Sequence, residues 1–446
     1  MHIGAVAMFT PAREVRSKQL VALIADRARL VPRLRRRITT GWWPPGSASW
    51  VDDPGFDRNR HVLAHELPPA SELGIAGGQV RDPLLERVSA IMAEPLDLSR
   101  PPWQIHVITG LRSGQFAILV KLHHALADGL SAVEIGMRLL DGLPDGAPPR
   151  ALRAVERPAA DSRRTSLLDP LGLASGVIAA APELARQAGQ VLTIASTAVA
   201  NLFRQGSSPL AAPSSAERDV ALVRLDLPEV KRVRRHHGGT VNDLLLAVVS
   251  GALRDWLATR GEAVRDFPVR ALIPVSRRHR APNGVGNNQL SGYLCELPVG
   301  EPDARRRLRT IREQMDRNKA AGPHRGPGAI AMLAEQLPPA VHRTVTPLAR
   351  SAATLLFDTV ITSVPLPGLP MTLDGAQLGE VYPIVPLGPN QALGVALSTY
   401  RNTVHIGLQA DREAVPDLRR LAEAIPRALW ALAPDVSWPV AGAAAR

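Results

Sequence analysis

Two adjacent histidines open the run His123-His124-Ala125-Leu126-Ala127-Asp128-Gly129. Imidazole is the side chain best matched to proton transfer near neutral pH, its ordinary pKa being about 6.5. Held in a loop between rigid elements, such a histidine can face a cavity and act as a general base. Asp128 can orient the loop through an arginine or through backbone groups, and Gly129 can take the positive φ that a turn needs. No Gly-x-Ser-x-Gly lies nearby, so a serine triad of the nucleophile-elbow kind is not supported. There is no His-Glu-x-x-His and no standard zinc-ligand spacing, so no metal is expected. Cys295 is the only cysteine, which excludes an intramolecular disulfide and a cysteine cluster, and it reads as an inert buried thiol. The loop alone leaves two readings open, a base in a site or a pair of surface or packing histidines.

The flanking sequence supplies the elements that would hold this loop. Phe116, Ile118, Val120 and Leu122 alternate with Ala117, Leu119 and Lys121, which is the pattern of a strand. Leu130, Val133, Met137 and Leu140 then follow helical spacing. The histidines therefore sit in a strand-to-helix loop. Thr240 and Asp243 fit a capping box before a helix through Trp256. Residues 393–400 and 404–410 read as a hairpin around Arg401-Asn402, and 415–433 as a closing helix interrupted near Pro426. Strands and helices mix without a strict βαβ rhythm, which predicts an α/β fold with mixed sheets. Composition divides the chain into residues 1–145, a linker at 146–216 and residues 217–446. The linker's ends are rich in proline, glycine and serine, while its alanine-rich middle, 167–202, predicts helices that pack on the domains.

The 446 residues are 45% hydrophobic and 21% charged, enough for a sizeable core. The formal charge is +12 and the pI about 10.9, and Lys18, Lys121, Lys231 and Lys319 are the only lysines, so arginine carries the surplus. Such a balance favours nucleic acid, a membrane surface or a phosphorylated substrate. Nucleic acid is disfavoured, because aromatics are only 4% and no basic-aromatic binding module is present. Arg305, Arg306, Arg307, Arg309 and Arg312 form one basic helix stretch, readable as a solvated face or as contacts to phosphates. The N-terminus lacks a signal peptide's basic region, and the uncharged run 187–203 is too short and polar to span a bilayer, so a cytoplasmic location is expected.

The arrangement HHxxxDG resembles the signature of the CoA-dependent acyltransferase superfamily, and other stretches point to one branch of it. Pro95-Leu96-Asp97-Leu98-Ser99-Arg100-Pro101-Pro102-Trp103-Gln104 is similar to a PLDxxRPLWE segment, with Pro102 and Gln104 as departures. Thr240-Val241-Asn242-Asp243 resembles a TVNDVVLA block. Pro274-Val275-Ser276-Arg277 followed by Gly286-Asn287 resembles PVSxR…GN, and Val360-Ile361-Thr362-Ser363-Val364-Pro365 resembles VTNVPGP. In this order the segments identify the chain as resembling the bacterial wax ester synthase/diacylglycerol acyltransferases. Ser363 stands where that family usually has asparagine and Leu366 where glycine is common. The family also ordinarily carries a further segment before the opening strand, so a shortened start is expected.

The resemblance implies two chloramphenicol-acetyltransferase-like domains, a partly helical linker and a tunnel between the domains. It implies acyl-CoA as a substrate, no cofactor, and diacylglycerol or a long-chain alcohol as acceptor. His124 would be the base and His123 would shape the loop. Asp128 would pair with an arginine, for which Arg35 or Arg37 is a candidate, and Gly129 would allow the turn. Asn242 and Asp243 would line the channel or simply cap a helix, and an oxyanion donor is expected near Ser363. The surface would suit an anionic membrane or a lipid droplet. Two other functions remain open here, an acyltransferase using a carrier-protein-bound donor and a non-catalytic lipid-binding protein.

Overall fold

The computed structural model describes residues 2–40, 48–68, 82–141, 208–262, 269–276, 290–321 and 357–433. The central part of the expected linker, including 167–202, lies outside the described residues, as do Arg277, Gly286 and Asn287.

The first sheet is built around the strand that carries the histidines. β1 (His2–Thr10) pairs antiparallel with β6 (Phe116–His123), placing His2 opposite His123 and Phe9 opposite Phe116. β5 (Trp103–Thr109) and β4 (Val62–Glu66) continue the sheet on the far side of β6. On the near side, β1 is joined by β12 (Ala376–Ile384) and the short β11 (Thr372–Leu373), so the order is β11-β12-β1-β6-β5-β4. Residues 372–384 thus complete a sheet whose other strands all come from the first 123 residues. β2 (Arg36–Thr40) and β3 (Ala48–Asp52) form a separate small pair.

The second sheet runs β7-β14-β13-β10-β8-β9, built from β7 (Arg218–Asp226), β8 (Val269–Ser276), β9 (Leu290–Leu297), β10 (Thr359–Pro365), β13 (Leu393–Tyr400) and β14 (Thr403–Asp411). β10 is parallel to both of its neighbours while the other pairs are antiparallel, giving the mixed sheet that the sequence predicts. The expected hairpin is β13–β14, and its turn residue Arg401 takes φ 52°. β12 passes so close to β14 that a Cβ on Gly407 would collide with the carbonyl of Pro383. Only glycine lets the two sheets meet at this crossing.

Seven described helices cover the sheets. α1 (Ser17–Arg29), α2 (Pro83–Ala93) and α3 (Gly129–Leu139) belong to the first. α4 (Leu227–His237), α5 (Val241–Thr259), α6 (Ala304–Ala321) and α7 (Leu418–Trp430) belong to the second. α5 starts at a capping box in which Asp243 N donates to Thr240 Oγ1 at 3.1 Å and Thr240 N donates to the Asp243 carboxylate at 2.9 Å. α7 continues through Pro426 instead of stopping there. Its buried face, from Leu418 and Leu421 to Ala428 and Leu429, outweighs the roughly 3 kcal/mol that an interior proline costs.

α2 ties the two sheets together. The buried Lys121 of β6 donates from Nζ to the carbonyls of Ile91 and Glu94, both at 2.6 Å, at the C-terminal end of α2. His2 Nε2 meets Met92 O at 2.7 Å. Toward the other end of the helix, Ser89 Oγ accepts from Val220 N of β7 at 3.0 Å, and Glu86 meets Arg412 at 3.3 Å.

Candidate active site

β6 ends at His123, the chain turns, and α3 begins at Gly129. Leu126 N donates to His123 O at 2.8 Å and Ala125 N donates to His123 Nδ1 at 3.2 Å. The second bond makes Nδ1 the unprotonated nitrogen of His123, in keeping with a pKa that burial pulls below the usual imidazole value. His123 is therefore a neutral brace of the loop. Asp128 is the N-cap of α3, its Oδ1 accepting from Ser131 N at 2.7 Å. This bond orients the loop through a backbone group; Arg37, one candidate for the arginine partner of Asp128, lies 3.7 Å from Asp53. Gly129 does not take a positive φ. Its lack of a side chain matters for a different reason: a Cβ there would lie 3.3 Å from Val364 Cγ2, so glycine lets β10 approach the loop.

His124 lines a cavity of about 1020 Å³. That volume is at the upper end of the roughly 300–1,000 Å³ typical of small-molecule sites. Asp128, Gly129, Asn242, Asp243 and Ser363 line the same cavity, so the structure brings these sequence-predicted site residues onto one cavity wall with His124, while His123 is not part of the lining. Ser363 is exposed, which puts it at a mouth. Asp243 is buried and does two jobs, closing the capping box and lining the cavity, with Lys319 Nζ 3.7 Å from its Oδ1.

One limb of the cavity is apolar throughout. Ile3, Ala5, Ala7 and Phe9 of β1 form its floor with Ile118, Val120 and Leu122 of β6. Ile3 and Phe9 are six residue steps apart along the strand, so this floor is about 20 Å long. α3 and β10 contribute Ala132, Val133, Gly136 and Val360. The lining also has a more polar set, with Thr240 at the N-cap of α5, Asn242 and Asp243 of α5, Tyr293 of β9 and Lys319 of α6. Cys295 is buried and takes no part, its thiol pushed up to about 12 by burial.

Sequence reasoning missed Lys121, His2 and Gly136. A lysine inside an otherwise apolar strand was the visible signal for the first. Nothing in the sequence marks His2 or Gly136, because their partners lie on β6, α2 and the cavity wall.

A His-His-x-x-x-Asp-Gly loop between a strand and a helix, its second histidine lining a largely apolar cavity in a fold of two mixed sheets, is the arrangement expected of a CoA-dependent acyltransferase. The wax ester synthase/diacylglycerol acyltransferase catalytic domain matches residues 1–245 and the WS/DGAT C-terminal domain matches residues 286–433, and the chain belongs to this family. It is 30% identical over 441 residues to the probable diacylglycerol O-acyltransferase Tgs1 of Mycobacterium tuberculosis, covering 96% of this chain and 90% of that protein. A second protein of that organism, the probable diacylglycerol O-acyltransferase Tgs2, is 32% identical, with 94% and 92% covered. The solved wax ester synthase/diacylglycerol acyltransferase of Marinobacter aquaeolei VT8 superposes with a TM-score of 0.67 at 27% identity, covering 97% of this chain and 94% of that one. A trichothecene 15-O-acetyltransferase of Fusarium sporotrichioides shares the fold, with a TM-score of 0.60 at 12% identity.

Proposed function

We propose that this acyltransferase moves a long-chain acyl group from acyl-CoA to the hydroxyl of diacylglycerol, of a long-chain alcohol, or of both. The observation that carries the reading is a single one: His124 lines a cavity whose one limb is an apolar trough of about 20 Å. Alkyl chains match such a limb, and the polar region at Asn242, Asp243 and Lys319 suits the hydrogen-bonding arm of CoA.

In the step itself, His124 takes the proton of the acceptor hydroxyl as that oxygen attacks the thioester carbonyl. The tetrahedral intermediate collapses, the carbon–sulfur bond breaks, and the departing thiolate recovers the proton from His124. Ester and CoA are the products and the base is regenerated. Holding both substrates in one cavity converts a bimolecular collision into a positioned reaction, which supplies much of the acceleration. A hydroxyl at or near Ser363, which lines the cavity, would donate to the developing oxyanion. No helix among the described residues is long and apolar enough to cross a membrane. The arginine surplus supports work on the cytoplasmic side of an anionic membrane or at a lipid-droplet surface.

The test is lipid product analysis with palmitoyl-CoA and a mixture of diacylglycerol and hexadecanol, with an acyl-carrier-protein donor in parallel. Triacylglycerol, wax ester or both should appear from the CoA donor and vanish in His124→Ala while the variant's melting curve is retained. Near-wild-type turnover by His124→Ala would remove the base assignment.

A further inference from the structure

Three glycines sit inside the described helices, and two have steric reasons to be there. A Cβ on Gly129 would press on Val364, and one on Gly251 would lie 3.0 Å from Arg307 Nη2 and 3.2 Å from Ala428 Cβ. Gly136, in the middle of α3, has no such reason: a Cβ built on it meets nothing within 4 Å. Its φ lies outside the left-handed region, so the backbone does not require glycine either. Glycine in a helix interior is destabilising relative to alanine, which this position would accommodate. What Gly136 faces is the cavity that it lines along with Ala132 and Val133 of the same helix. Seven residues of helix beyond Gly129 put it about 10 Å from the histidine loop, alongside the apolar limb floored by Ala5 and Ala7.

We propose that Gly136 is a specificity-determining residue that sets the bore of the alkyl-chain limb, and so the length of substrate chain that reaches past it. This rests on the acyl-transfer reading given above. Any side chain at 136 enters space that the cavity now holds open. A short chain ends before that point, whereas a long one must pass it. The ligand class is an alkyl chain, which could come from the acyl donor or from the alcohol acceptor.

Gly136→Ala, Gly136→Val and Gly136→Leu form a graded series. One arm varies the donor from octanoyl-CoA to stearoyl-CoA with a fixed acceptor, and the other varies the alcohol from octanol to octadecanol with a fixed donor. In one arm the ratio of kcat/KM for long over short chains should fall by about tenfold or more at leucine, with valine and alanine between it and the wild type. The arm that responds identifies which chain occupies the limb. Gly136→Ala should also melt above the wild type, which separates narrowing of the bore from damage to the helix. If leucine does not fold, the alanine and valine variants still report the trend. Thermal stabilisation by hexadecanol against octanol reads the same narrowing without turnover: if the wild type forms no ester, the functional reading fails while this binding ratio still decides the proposal. Unchanged length ratios in both kinetic arms and in binding, in folded variants, would overturn it.

Discussion

Asp128 shows how one side chain in a signature can both line the cavity and hold a helix end. Its carboxylate caps α3 and thereby fixes where the loop ends. Losing an N-cap costs about 0.5–2 kcal/mol, but asparagine caps nearly as well as aspartate. Asp128→Ala should therefore lower both the denaturant midpoint and turnover, while Asp128→Asn should restore most of the stability. Equal damage from the two substitutions would show that the charge, and not the cap, is what the loop needs. The histidines behave differently from each other for a reason that sequence does not carry. His123 has a backbone donor on Nδ1 and is braced, whereas His124, one residue later, lines the cavity. Gly136 sits at the same scale, a residue invisible in sequence because its role is to leave space.

At the level of elements, β6 is the part on which the site depends, and α2 holds it. Lys121 is buried and lies three residues before His124. Burial pushes its pKa down to about 8, so the ammonium remains charged near neutral pH and feeds two helix-terminal carbonyls. Lys121→Met would spare the cost of a buried charge but orphan the acceptors at Ile91 and Glu94, an expense of about 1–3 kcal/mol each. A lower melting temperature together with reduced turnover is expected. An unchanged melting temperature would mean that the carbonyls find other donors and that the clamp is dispensable. Much of this level was legible beforehand. The strand–loop–helix around the histidines, the capping box at Thr240 and Asp243, and the β13–β14 hairpin all follow from local periodicity and local hydrogen bonding. The continuity of α7 through Pro426 was not legible, because it depends on how much of the helix is buried.

For the whole molecule, burial of histidines makes stability depend on acidity. Burial lowers His2 and His405 to about 4 and His106 to about 3. Each is neutral in the fold but takes a proton once the chain unfolds below its ordinary value of about 6.5. Their contribution is complete above that pH and is lost as pH falls toward 4 and then 3, by at most roughly 1.4 kcal/mol per pH unit for each group. The melting temperature should therefore drop steeply between about pH 6.5 and pH 4. Both ring nitrogens of His405 are buried without a hydrogen-bond partner, the ring packs edge-on against Tyr382 at 4.9 Å, and Glu380 and Arg224 are the charges that act on it. His405→Phe should flatten the acid limb of the curve. An identical limb in that variant would assign the acid sensitivity to the other histidines.

What the sequence determined by itself was local and chemical: a paired-histidine loop between a strand and a helix, mixed α/β class, and an ordered set of segments resembling one acyltransferase family. Those features depend on residues near one another in the chain. The tertiary structure alone decided that residues 372–384 cross back to complete the first sheet, that Gly407 admits the crossing, and that Lys121 and His2 grip α2. It also decided that an apolar limb opens beside His124. A cavity is bounded by residues from distant parts of the chain, and its shape is set by the side chains that are missing as much as by those present.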